Sequence, residues 1–149
     1  MSFHSSQPQD RRMRRSSTLP SALHYQLLHA SELFEIDLLT ISDADGHLIA
    51  TSTESPMGTL VSEVTAAFSP IMSHEAQQEP AEQTANTRLL RELQLLGLDW
   101  DVESISCTEF HVGGSRMFLT AVGNHTNAMR EIGIYRVIFG VRRIWNDAI

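Results

Sequence analysis

The stretch Ile41-Ser-Asp-Ala-Asp-Gly-His-Leu-Ile-Ala50 places two acidic residues just ahead of a glycine. It reads either as a calcium loop or as the turn of a β-hairpin, and the choice decides the fold. An EF-hand loop needs oxygen ligands at its first, third and fifth positions, glycine at the sixth and a bidentate carboxylate at the twelfth. With Gly46 at the sixth, Asp43 and Asp45 fall correctly, but Ile41 stands first and Ser52 last. The ends that must enclose the cation are missing. Both flanks, 36–42 and 47–53, are short apolar runs with β-branched residues, as strands are. Asp-Gly between two such runs signals a hairpin, because glycine accepts the positive φ that the turn requires. The stretch predicts a hairpin.

Outward from it, Ser55-Pro56 supplies an N-cap and a first helical residue. Met57, Leu60, Val61, Val64, Ala67, Phe68, Ile71 and Met72 then follow the spacing of one helical face. Most of that stripe is expected to cover the sheet. Pro70 interrupts the run without changing its phase, which predicts a kinked helix or two abutting ones. Residues 74–87 are polar and read as a linker or an exposed helical turn. Leu89, Leu90, Leu93 and Leu96 mark another helix, over about 86–96, closed by Gly97. A second hairpin follows, with 102–112 leading through Gly113-Gly114 to Met117–Val122. Thr126 is a candidate cap for a last helix carrying Ile134, Val137, Ile138, Val141, Ile144 and Trp145 on one face. Gly133 and Gly140 are seven residues apart on that helix, where its backbone would approach the sheet.

Towards the N-terminus, Leu23, Leu27 and Leu28 share a helical face that begins near Pro20. Residues 1–18, rich in Ser, Gln and Arg, hold too little apolar surface to offset chain ordering and are expected to form a disordered basic tail. The remainder, 19–146, reads as one domain. The order helix, hairpin, helices, hairpin, helix predicts an α+β fold, an antiparallel sheet of four to five strands with helices on its faces.

Composition narrows the function. The formal net charge of −7 argues against a general nucleic-acid binder, which needs a basic face. Every basic residue is arginine, so Schiff-base chemistry and a phosphate-loop lysine are excluded. The single cysteine, Cys107, cannot form an internal disulfide, and no apolar run is long enough to span a membrane. These features fit a cytoplasmic protein. The seven histidines are scattered without metal-ligand spacing. Cys107 and His111 share a strand face but have no third member to make a catalytic dyad useful. No catalytic, cofactor-binding or metal site is expected.

Two segments carry a family resemblance: "IDLLTISDADGHLIATS", 36–52, and "CTEFHVGGSRMFLTAVG", 107–123, with "GVRRIW", 140–145, in the last helix. In these and in element order the chain resembles the Roadblock family, over about 20–75 and 98–146. The segment 86–96 departs from that pattern as an extra helix, and the family's sheet commonly has five strands. The resemblance implies a non-enzymatic homodimer that serves as an adaptor or regulator for a small Ras-like GTPase or signalling complex. It implies an interface on the helix Met57–Met72, through Met57, Leu60, Val61, Val64 and Phe68, and on the strand Val102–Phe110, through Val102, Ser104 and Phe110. The alternative is a sensory domain of profilin-like architecture that binds a small molecule between sheet and helices.

Overall fold

The computed structural model describes residues 8–123 and 127–148. Four strands form one antiparallel sheet: β1 (Leu38–Asp43), β2 (Leu48–Thr51), β3 (Ile105–Val112) and β4 (Ser115–Val122), in the order β2-β1-β4-β3. The fold is the expected α+β class, with four strands. Helices α1 (Pro8–Leu33) and α4 (Asn127–Ala148) pack on one face, and α2 (Pro56–Ala76) on the other with α3 (Thr84–Leu95) beside it. A 3₁₀ turn, Val102–Ser104, precedes β3.

Local chemistry explains both hairpins. The Asp43 carboxylate accepts the backbone N–H groups of Asp45 and His47, each at 2.9 Å, which closes the first turn. Gly46 supplies φ +82°, and its missing side chain leaves room for the α2 backbone, whose Ala67 Cα would lie 3.2 Å from an added Cβ. Gly113 and Gly114 both take positive φ, as a two-residue hairpin turn demands. The centre of the sheet is set by β1 and β4, paired from Leu38↔Val122 to Asp43↔Met117.

Strand alternation sorts the core into two layers. Leu39, Ile41, Phe110, Met117, Leu119 and Ala121 point towards α1 and α4, where Leu23, Leu27, Val137 and Val141 meet them. Leu38, Ile105 and Val122 point the other way, against Val61, Met72, Leu89 and Leu93. Arg130 of α4 fastens one end of the sheet. Its guanidinium donates to Ser106 Oγ and to the carbonyls of Glu103 and Gly123.

Several expectations need correction. Helix α1 begins at Pro8 and runs through Pro20, so it starts inside the stretch expected to be a tail; residues 1–7 lie outside the described residues, as does Thr126. Helix α2 runs through Pro70 as a single helix, not two abutting ones, and reaches Ala76, inside the segment read as a linker or exposed helical turn. Ser55 caps it as expected, its hydroxyl accepting the Gly58 N–H at 2.9 Å. Gly133 and Gly140 do not face the sheet: a Cβ on either would strike Ile36 or the Gln26 side chain, so they bring α4 against α1 and the turn that follows it.

Candidate interaction surface

The face that α2 turns to the sheet is built from small residues: Ser62, Thr65, Ala66, Ser69 and Ser73, all buried. Each of the first two hydroxyls, and that of Ser69, donates to the carbonyl four residues earlier, at 2.8–2.9 Å, so burial leaves none of them without a partner. Two also reach across the layer. Ser62 Oγ lies 2.6 Å from Thr51 Oγ1, and Ser69 Oγ lies 2.7 Å from Thr120 Oγ1. Opposite them the sheet presents Thr40, Ser42 and Thr120, and the hydroxyls of Thr40 and Ser42 meet no partner among the described residues. Along this line helix and sheet meet through a layer of hydroxyls, while Val61 and Met72 meet Leu38, Ile105 and Val122 in the apolar part of the contact.

Much of the helix's apolar bulk points outward. Met57, Leu60 and Ile71 are 53%, 43% and 48% exposed, and Val64 and Phe68 are half-buried beside them. The expectation that this stripe covers the sheet is overturned. Helix α3 covers only one flank: Val61 and Met72 are buried against Leu89 and Leu93, and the Arg88 guanidinium sits 5.6 Å from the centre of the Phe68 ring. The remaining stripe runs along α2, on the side of the sheet that Ile105 and Cys107 of β3 face.

Strand β3 is an edge of the sheet, paired with β4 from Ile105↔Val122 to Val112↔Ser115. Not every residue expected at an interface lies at this surface. Val61 is inside the protomer. Phe110 is buried on the opposite face, because alternation sends it with Met117 towards α1 and α4. Val102 and Ser104 belong to the 3₁₀ turn and not to the strand, and Ser104 is buried with its hydroxyl on the Asp101 carbonyl. Met57, Leu60, Val64 and Phe68 remain available. The hydroxyl stripe that turns them outward was readable only as Ser, Thr and Ala recurring at three- and four-residue steps.

Burial pushes the Cys107 thiol up to about 11, so it stays protonated at neutral pH. It lies 3.3 Å from the Ser69 carbonyl and accepts from Thr120, while His111 is exposed and faces Glu109 at 3.8 Å. The pair forms no dyad. At the first hairpin, single ligand atoms of Asp43, Asp45 and His47 lie within 4.8 Å of one another, although Asp43 is already engaged by the turn. A cleft of about 270 Å³ beside Cys107, between α2, the start of α3 and β3, lies below the roughly 300–1,000 Å³ of ordinary small-molecule sites. No helix among the described residues is long and apolar enough to cross a membrane.

Together these features define an α+β domain whose distinguishing surface is an apolar helix face next to a sheet edge. No protein-family model matches the chain, and no curated protein is similar to it. Among solved structures it is similar to Myxococcus xanthus MglB, with 11% sequence identity over 99% of this chain and 97% of that one and a TM-score of 0.49.

Proposed function

We propose that this chain is a non-enzymatic, homodimeric adaptor of Roadblock type that binds a small Ras-like GTPase. One observation carries the reading: α2 packs its small hydroxyl face inward and leaves Met57, Leu60 and Ile71 in water. Sequence resemblance supports it through the two hairpin segments, 36–52 and 107–123, and the last helix.

Magnitudes say how such a dimer must be built. Covering three half-exposed apolar side chains contributes on the order of 1 kcal/mol apiece. That sum is short of the roughly 4 kcal/mol of even a millimolar complex, before the cost of association. The stripe alone does not suffice. Val64, Phe68 and the unpaired side of β3 must join it, and two-fold pairing of equivalent edges is the arrangement that closes. GTPase binding to such a platform acts by favouring one nucleotide-dependent conformation of the partner, without chemistry by this chain.

Sedimentation of the wild type against Leu60→Asp/Ile71→Asp tests the dimer. A dimer that becomes a folded monomer supports it, and a wild-type monomer at all concentrations refutes it. Affinity capture from native extract, with GDP or a non-hydrolysable GTP analogue, tests the partner. Enrichment of a Ras-like GTPase in one nucleotide state is expected; absence in both removes the partner assignment and leaves the dimer to stand separately.

A further inference from the structure

Helix α4 has an outward face that the reading above does not use, on the side of the sheet away from α2. Its inward residues Ile134, Val137, Ile138 and Val141 are buried. Steps of three and four residues then place Ile132, Tyr135 and Phe139 on the outside, where Tyr135 and Phe139 are 75% and 72% exposed. Arg136, Arg142 and Arg143 are interleaved with them. Aromatic residues and arginine are the side chains that most often anchor protein interfaces.

Two shallow hollows lie on this face. A groove of about 200 Å³ runs between α1 and α4, walled by Leu33 and Phe139 and edged by Arg136 and Arg143. A second hollow of about 480 Å³ continues it along α4 past Tyr135, and shares Arg136 and Phe139 with the first. Among the described residues no carboxylate lines either hollow, although the chain carries 18 acidic residues against 11 arginines. Neither Arg136 nor Arg143 forms an ion pair among the described residues. This is a cationic, aromatic groove on an acidic protein.

We propose that the α1–α4 groove docks an acidic amphipathic segment of a partner protein, its apolar side chains seated against Leu33, Tyr135 and Phe139 and its carboxylates on Arg136 and Arg143. Charge complementarity selects this occupant. A second copy placed by a two-fold axis would set arginines against arginines. The net negative charge of the chain opposes approach to an anionic lipid surface.

Selection from a displayed library of random short peptides on the full-length chain tests the proposal, with Arg136→Glu/Arg143→Glu and Phe139→Ala as comparison proteins. Both sets of changes are at exposed positions, and circular dichroism with thermal melting confirms that each variant is folded. Expected are peptides enriched in Asp and Glu with apolar residues at helical spacing, which bind the charge-reversed variant about tenfold or more weaker and the Phe139 variant more weakly too. Failure to enrich any peptide, enrichment of basic ones, or binding unchanged by charge reversal overturns it. So does flotation of the wild type, but not of the charge-reversed variant, with vesicles containing phosphatidylserine, which would assign the face to lipid. A change of sedimentation mass on Phe139→Ala would assign it to a second copy. Loss of the α2 dimer would leave this result untouched, since the two faces are opposite.

Discussion

At the scale of single residues, two polar side chains report on how the layers are held. His24 of α1 places Nδ1 2.7 Å from the Thr51 carbonyl and Nε2 3.1 Å from Glu54, so it ties α1 to β2 and the segment after it. The Thr51 carbonyl first, then Glu54, raises its pKa above the ordinary 6.5, against a smaller opposing effect of burial. A folded-state pKa above the unfolded one means that protonation favours folding. The contribution is complete below pH 6.5 and disappears as pH climbs through the raised value. Urea midpoints across this range should therefore fall with pH more steeply in the wild type than in His24→Gln; parallel curves would show the contact to be silent. Thr40 makes the opposite case. Its hydroxyl is buried without a partner among the described residues, so the methyl of Thr40→Val relieves a desolvated group and should raise stability by about 1 kcal/mol. A loss of stability on urea unfolding would mean that solvent reaches that hydroxyl in the folded protein.

At the scale of elements, α2 shows where reading a sequence succeeds and where it misleads. Its start was legible because Ser55-Pro56 acts within one turn, and the two hairpins were legible because Asp-Gly and Gly-Gly fix their own backbone. Its orientation was not. Apolar periodicity marks a face, and the usual inference sends that face to the core; here Ser62, Thr65 and Ser69 satisfy their hydroxyls on the helix's own carbonyls and take the inside instead. Phe110 was misplaced for a related reason: its face depends on register with Met117, which spacing within β3 does not show. The start of α1 was missed because Pro20 reads as a boundary, yet the helix runs through it. The orientation of α2 makes a sharp prediction. Ser69→Leu must force bulk into a layer with no space and should cost about 1–3 kcal/mol or more. Ile71→Ser, at dilution where protomers are separate, should change stability by less than about 0.5 kcal/mol. Denaturant curves that rank the two the other way would require the helix to face the sheet with its apolar side.

At the scale of the whole molecule, the two edges of the sheet are treated differently. The β2 edge is engaged by neighbours within the chain, through His24 on the Thr51 carbonyl and Ser62 on the Thr51 hydroxyl. The β3 edge pairs with β4 on one side, and beside it lies the α2 stripe that α3 leaves uncovered. If a second copy covers this side, folding and association are one equilibrium, and mass action must appear in the melting curve. The wild-type thermal midpoint should then rise with protein concentration. Leu60→Asp/Ile71→Asp should hold a constant midpoint while keeping the wild-type far-ultraviolet circular dichroism, because both positions are exposed in the protomer. Arg136→Glu/Arg143→Glu, on the opposite face, should keep the full concentration dependence, since distant sites without shared partners act independently. A wild-type midpoint that does not move with concentration would assign the α2 stripe and the β3 edge to a different protein.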